Sequence, residues 1–329
     1  MAQTPAAVVV EGLRKQFVVG SRWLGPRRAV QAVSGVSFQV EAGHTLGIVG
    51  ESGCGKSTLA RLLMGLIAAD GGQAVLAGQP LGPRPQQLAA LRRKVQMVFQ
   101  DSYASLNPRM TVEASIMFGP LVQGVPRQAA RQIAHGLMER VALEPGRYAE
   151  RYPHEISGGQ RQRVNIARAL ALQPEIVIFD EAVSALDKSV ELQVLNLLMD
   201  LKQSLGLTYL FISHDLHVVQ YVSDRVLVMY LGQVVEIGPV DAVYARAAHP
   251  YTRALLASMP SMDPRRRTLT APIAGDPPSP IDPPSGCRFR TRCPHADSGC
   301  AVTVPRLQPV GDGGHLAACL RLPLPKAGM

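Results

Sequence analysis

Aromatic side chains are scarce in this chain, making up 5% of its 329 residues with a single Trp. A surface that stacks successive unpaired bases interleaves aromatic platforms with basic residues, and no such interleaving is present. Long apolar runs are also missing. None approaches the roughly 18 to 20 residues that a membrane-spanning helix needs. The opening stretch, Met1 to Leu13, has neither the basic start nor the apolar h-region of a secretory leader. The chain is therefore expected to stay in the cytoplasm and to meet a membrane only through partners. Cysteine is rare, five residues in all, and in a reducing compartment disulfides are not its expected use. Acidic residues number 25 against 34 Lys and Arg, leaving a net charge of +9. The basic residues are spread out, with Arg265-Arg266-Arg267 the one tight cluster. That distribution suits a basic surface near anionic lipid, and no nucleic-acid partner is expected. The 47% of apolar residues, mostly aliphatic, is what a globular α/β core requires.

Against this background one run stands out: Gly50-Glu51-Ser52-Gly53-Cys54-Gly55-Lys56-Ser57. A glycine, four residues and then Gly-Lys-Ser make a phosphate-binding loop when a strand precedes and a helix follows. Both are expected here, from Thr45 to Val49 and from Thr58 to Ile67. Glycines let successive N–H groups turn inward on phosphate oxygens, and the helix adds its positive end. Lys56 is placed to reach β- and γ-phosphates, and Ser57 to coordinate Mg²⁺. Cys54 occupies a variable position of the loop and reads as filler.

Elsewhere the chain alternates strand-like and helical patterns. Short strands are expected at Ala7 to Val10 and Val36 to Val40, around a polar insert from Gly20 to Arg28. Others are expected at Ala74 to Leu76 and Val95 to Phe99, around the loop Gly82-Pro83-Arg84-Pro85. From Thr111 to about Leu172 apolar residues recur three and four apart, a helical period. Strand signals return at Ile176 to Phe179 and Tyr209 to Ile212, with a helix from Val190 to Leu205 between them. That order implies a parallel sheet with crossover helices. A β-rich stretch from Arg225 to Ile237 follows. Past Pro260 the composition changes, and Ala271 to Pro284 holds six prolines in fourteen residues, which excludes helix and central strand.

Two further runs carry chemistry. Ile176 to Phe179 delivers Asp180 and Glu181 at a strand's C-terminal edge, where parallel sheets place their ligands. Asp180 is placed to hold Mg²⁺ and Glu181 to polarise an attacking water. The separation from the phosphate-binding loop allows the two strands to be neighbours. Ser157-Gly158-Gly159-Gln160 opens the helical stretch Arg161 to Leu172. Ser157 alone is explained as an ordinary N-cap, but the whole run is a second helix start suited to an anion. A head-to-tail dimer, with each nucleotide between one chain's loop and the other's Ser157 to Gln160, accounts for both.

With these residues in this order, the sequence resembles the ATP-binding-cassette (ABC) family of transport ATPases over about residues 7 to 255. The resemblance implies a P-loop NTPase (RecA-like) core with an antiparallel β subdomain and a helical subdomain at about 101–165. It makes Gly50 to Thr58 the ATP loop, with Lys56 catalytic. Gln100 matches the family's Mg²⁺-contacting glutamine, and Ser157 to Gln160 the signature. Asp180-Glu181 matches the Walker B pair, Ser184 to Asp187 the D-loop, and His214 the histidine that senses the γ-phosphate. Phe17 falls where the family stacks an aromatic ring on adenine, although a lone strand Phe also reads as core. Ala182 departs from the family, which usually has proline there. Partners implied are a second ATPase subunit, two membrane permease subunits and, indirectly, an extracytoplasmic solute-binding protein. The implied location is peripheral, on the cytoplasmic face of the inner membrane.

Further runs resemble the ATPases of dipeptide, oligopeptide and nickel importers: Ser105 to Arg109, Val194 to Leu198 and His249-Pro250-Tyr251-Thr252. The tail resembles that subfamily's C-terminal extension, in Pro283 to Phe289, Arg292-Cys293-Pro294, Cys300 and Cys319. The expected division is an ATPase domain over 1–259 and an extension over 260–329. Cys287, Cys293, Cys300 and Cys319, with five, six and eighteen residues between them, lack the tight pair of most zinc sites. The subfamily resemblance implies a four-iron, four-sulfur cluster. Zinc, with His295 or His315 as alternative ligands, and unligated thiols stay open, with the histidines otherwise expected at the surface. Peptide uptake is the implied task, with nickel or another small solute as the alternative. A soluble non-transport ABC ATPase and an export pump are the rivals.

Overall fold

The computed structural model describes residues 6–19, 28–82, 84–260, 275–311 and 313–323. Residues 20–27 of the polar insert, Pro83, the Arg265-Arg266-Arg267 cluster and residues 271–274 of the proline-rich segment lie outside the described residues. In chain order the strands are β1 (Ala6–Val19), β2 (Arg28–Glu41), β3 (Thr45–Val49), β4 (Gly71–Leu76), β5 (Gln79–Pro80) and β6 (Val95–Val98). They continue with β7 (Ile176–Asp180), β8 (Thr208–Ile212), β9 (Arg225–Tyr230), β10 (Gln233–Pro239), β11 (Gln308–Pro309) and β12 (Leu316–Ala317).

Two sheets form. One is antiparallel with order β2-β1-β4-β5, and the other has order β11-β12-β10-β9-β3-β8-β7-β6. The strands β6, β7, β8, β3 and β9 run parallel, as the strand–helix–strand order requires. Every residue of β3, β7 and β8 is buried, so these strands read as nearly continuous apolar runs rather than alternating ones. The alternation survives as a choice between two cores. Val177, Phe179, Tyr209 and Phe211 face one, with the helices of the 111–172 region. Ile176, Ile178, Leu210 and Ile212 face the other, with the first sheet and the helix Lys56–Leu63. Each fully buried aliphatic or aromatic side chain of this kind contributes roughly 1.5 to 3 kcal/mol. On β3, Gly47 admits the helix Leu216–Val222, because a Cβ there would lie 2.4 Å from Val219 Cγ1.

Three expectations need correction. The strands carrying the phosphate loop and the acids are not neighbours: β8 lies between β3 and β7. Sequence separation permits either order, since a crossover connection can skip a strand position. The helix after the loop spans Lys56–Leu63 rather than Thr58 to Ile67, and Gly65 leaves it in the left-handed conformation at φ 60°. The histidine at 315 is buried rather than at the surface, with Nε2 donating to Glu236 Oε1 at 2.7 Å.

The helical stretch contains Val112–Val122, Arg127–Arg140 and Gly158–Leu170, packed through Ile116, Ala130, Ala134, Met138 and Val164. Thr111 caps the first of these, accepting from the Ala114 N–H at 3.2 Å. Among its described residues the extension holds one short helix, Ser298–Val302, and two two-residue strands. It is joined to the main sheet, because β12 pairs with β10 through Glu236↔Ala317 and Ile237↔Leu316. Phe289 fills the space beside Tyr230 and Tyr251, with ring centroids 5.3 and 5.4 Å away.

Candidate active site

The loop from Gly50 to Ser57 leaves the end of β3 and enters the helix Lys56–Leu63. Gly50 and Gly55 have φ of 150° and 107°, and a Cβ on either would fall about 2 Å from a carbonyl oxygen, 2.2 Å at Met229 and 2.1 Å at Ala32. No other residue fits these two positions. Because the helix N-cap is Gly55, no side chain caps the first turn, and its N–H groups and positive end are left for an anion. Lys56 is buried, and its Nζ donates to the Gly50 carbonyl at 2.7 Å and the Glu51 carbonyl at 3.1 Å. The ammonium thus spans the mouth of its own loop. Ser52 and Gly53 are exposed on the outer bend, and Thr58 is half-buried in the first turn. Cys54 is buried, and burial pushes its thiol pKa up despite nearby Lys56. That makes it an inert packing residue.

The two acids follow directly from β7. Asp180 is buried, and its Oδ1 accepts from Ser57 Oγ at 2.9 Å. Burial holds its pKa above the ordinary carboxylate value, with the Ser57 hydrogen bond opposing. Glu181 adopts φ 51°, a left-handed conformation, and its N–H donates to the Ile212 carbonyl at 2.9 Å. Its Oε2 accepts from Gln100 Nε2 at 2.9 Å and lies 3.4 Å from His214 Nδ1. Gln100 follows β6, Glu181 follows β7 and His214 follows β8, so three neighbouring parallel strands bring two side chains, Gln100 and His214, to the carboxylate of the third. The residues expected to act together at this edge are together.

Ser157, Gly158, Gly159 and Gln160 stand apart as the start of the helix Gly158–Leu170. Ser157 is exposed, and its Oγ accepts from the Gln160 N–H at 3.3 Å while Gln160 Oε1 accepts from the Ser157 N–H at 2.9 Å. This is a capping box, worth about 1 kcal/mol. Phe17 is exposed near the end of β1 and is not a core residue, with Lys15 Nζ 5.6 Å from its ring centroid. Asp187 precedes the helix Lys188–Leu205 as its N-cap residue.

Two of the four tail cysteines meet through the backbone, the Cys287 N–H donating to the Cys300 carbonyl at 2.8 Å. Burial, with Cys300, Cys293 and Cys319 adding to it, pushes the Cys287 thiol up to about 11. Cys293 and Cys319 are raised by burial as well. Among the described residues, however, no group of three or more His, Cys, Asp or Glu is disposed to hold a metal ion. The expected cluster is therefore unsupported by the arrangement of these thiols, all of which are free.

Two contacts to the loop had no role assigned from the sequence. The Glu51 N–H donates to the Tyr251 hydroxyl at 2.9 Å, and Arg292 Nη1 donates to both Glu51 carboxylate oxygens at 3.1 and 2.9 Å. Both residues sit in runs noted for their resemblance, His249 to Thr252 and Arg292 to Pro294, but nothing in the spacing points to the loop.

A parallel sheet with a glycine-rich loop, its lysine and a pair of acids at the C-terminal edge defines a P-loop NTPase. The family model described as ABC transporter matches residues 33–184, and that described as oligopeptide/dipeptide transporter, C-terminal region, matches 235–300. The chain is 50% identical over 322 residues to a "probable peptide ABC transporter ATP-binding protein" of Sinorhizobium fredii, covering 97% of this chain and 91% of the relative. It is also 50% identical over 311 residues to the oligopeptide transport ATP-binding protein OppF of Escherichia coli, covering 92% of each. Among solved structures, it is similar to a dimeric ATP-binding cassette bound to ADP and phosphate. That match has TM-score 0.61 and 26% identity, and covers 71% of this chain and 98% of the other. The chain belongs to the ATP-binding proteins of ABC transporters, and it is an ATPase.

Proposed function

We propose that the chain is the ATP-hydrolysing subunit of a membrane importer for peptides. The observation that carries the transport task is the likeness to peptide ATP-binding proteins over almost the whole chain, tail included. The working division is an ATPase domain over 1–259 and an importer-type extension over 260–329. No helix among the described residues is long and apolar enough to cross a membrane. On this proposal, as for an importer ATPase, the subunit acts from the cytoplasmic face, on two permease subunits supplied by other chains and fed by an extracytoplasmic solute-binding protein.

In this reading the Gly50 to Thr58 loop holds the triphosphate, with Lys56 turning from its own carbonyls to the β- and γ-oxygens. The oxygen donors Ser57, Asp180 and Gln100 suit a hard divalent cation, and among the described residues buried Asp180 accepts a hydrogen bond from the neutral Ser57 hydroxyl. Mg²⁺ bound by these three would neutralise charge on the phosphates. Glu181, steadied by Gln100, takes the proton of the attacking water. His214, beside the same oxygen, contacts the γ-phosphate, and Phe17 stacks on adenine. Ser157 to Gln160 serve the nucleotide of a second ATPase subunit, which closes over this one.

Peptide uptake in cells lacking the chain, restored with wild type or Glu181→Gln, tests the task. Recovery by wild type alone supports it, whereas uptake that never falls points to nickel or another solute. For the tail, the reading of Cys287, Cys293, Cys300 and Cys319 as holders of an iron–sulfur cluster or zinc rests on the likeness of this segment to the oligopeptide/dipeptide transporter C-terminal region. Metal analysis of protein purified without oxygen, with Cys293→Ser beside it, decides between a centre and free thiols.

A further inference from the structure

The phosphate-binding loop contains an acid. Glu51 is the second residue of a loop that must accept a highly negative triphosphate, and a carboxylate there repels the ligand. The structure pairs it. Arg292 donates to both Glu51 oxygens, and the pair is largely shielded, with side-chain exposures of 7% for Arg292 and 22% for Glu51. The same guanidinium lies 3.5 Å from the Tyr230 hydroxyl. One peptide unit away, the Glu51 N–H is held by the Tyr251 hydroxyl. Tyr230 and Tyr251 are wedged by Phe289, three residues before Arg292 in the extension. Arg288 fastens the segment further, through the Leu231 carbonyl, Gln31 Oε1 and Ser34 Oγ. The extension therefore reaches the loop with one neutralising charge on a rigid mount.

We infer that Arg292 is a positioning residue for ATP: it neutralises Glu51 and turns its carboxylate away from the phosphates, so that the C-terminal extension is a working part of the nucleotide site. The inference rests on the reading of Gly50 to Ser57 as the triphosphate loop. One guanidinium nitrogen held between both carboxylate oxygens fixes direction as well as charge, which a lysine at the same place reproduces only in part. Charge repulsion at this range, weakly screened by the surrounding protein, is large enough to move affinity by about an order of magnitude.

The test is displacement of trinitrophenyl-ATP from the purified full-length chain, with melting temperature measured alongside. Arg292→Ala is expected to weaken ATP binding about tenfold, and Arg292→Lys to weaken it less. Adding Glu51→Gln to Arg292→Ala should recover most of the loss, because the repelling charge has gone. If the alanine variant does not fold, Arg292→Gln takes its place. Unchanged affinity in a folded variant overturns the inference. So does weakened binding that Glu51→Gln fails to relieve, which would make the pair a staple for the tail and nothing more. Lys56→Ala separates the two levels of the argument. If it abolishes binding while Arg292→Ala does not weaken it, the site stands and the inference falls. If Lys56→Ala leaves binding intact, the site reading falls and takes the inference with it.

Discussion

Glu181→Gln is the sharpest probe of the chemistry, because the structure isolates what it changes. The substitution keeps length and shape, and the amide oxygen can still accept from Gln100 Nε2, now 2.9 Å from the carboxylate. The backbone contact from the residue 181 N–H to the Ile212 carbonyl is untouched. Strain at φ 51° is equal for glutamate and glutamine, since neither is β-branched. What is lost is the capacity to take a proton. General-base catalysis contributes roughly 10²- to 10⁴-fold, and at 1.36 kcal/mol per decade this raises the barrier by about 3 to 5 kcal/mol. Phosphate release by the assembled transporter should fall by that factor, while nucleotide binding and melting temperature stay near wild type. Turnover within about threefold of wild type would move the base elsewhere and refute the assignment.

Lys56→Ala removes the ammonium that spans the loop's mouth and should cut turnover at least about a hundredfold; turnover unchanged within a few-fold contradicts its role. Arg288→Ala strands three acceptors in a buried seam between the tail and the first sheet. Urea denaturation should register a loss of about 3 kcal/mol, and a change under about 1 kcal/mol would mean that the tail is held some other way. His249 is buried, with its pKa lowered from 6.5 to about 4, chiefly by burial against the opposing pull of Glu236. Its Nδ1 accepts from the Tyr251 N–H at 3.1 Å, so protonation would set two donors against each other. The folded state holds the neutral form, and its stability is complete above about pH 6.5. Stability is then lost as pH falls toward 4, by about 3 kcal/mol for this group. His249→Asn, which can cap without titrating there, should flatten that part of the profile, and an unchanged slope would count against this account.

Much of this was open to reading because local chemistry and global position agree. The runs that became β3, β7 and β8 are apolar except at one end residue each, Thr45, Asp180 and Thr208, as strands covered on both faces read. Ser157 and Gln160 bracket a helix start by a pairing visible three residues apart. Other features depend on distances that no local pattern records. The order β3-β8-β7 cannot be read from separations along the chain. Leu316 and Ala317 form a two-residue strand with no period to detect, yet they fasten the extension to β10. His315 gave no sign of burial because its partner, Glu236, lies 79 residues away. Arg292 and Glu51 are 241 residues apart, and only the fold reveals that the tail's charge answers the loop's.

Adjacent carboxylates with different tasks pose a last physical question, since neighbours in sequence usually share an environment. Here the strand ends between them. Asp180 closes β7, is buried, and meets Ser57. Glu181 is the first residue beyond, and its positive φ swings the chain off the strand path, so that its side chain meets Gln100 and His214 instead. The left-handed turn at a non-glycine residue costs roughly 1 to 2 kcal/mol, and the contacts at the edge hold it there: the Ile212 carbonyl takes the Glu181 N–H, and the Ser184 hydroxyl donates to the Glu181 carbonyl at 2.9 Å. With Ala182 following, no proline ring restricts residue 181, so hydrogen bonds, including one from the Ser184 N–H to the Glu181 carbonyl at 3.2 Å, must fix the conformation. Ser184→Ala should therefore loosen Glu181 and lower turnover more than it lowers nucleotide affinity. Equal losses in both would show that the turn serves binding rather than the placement of the base.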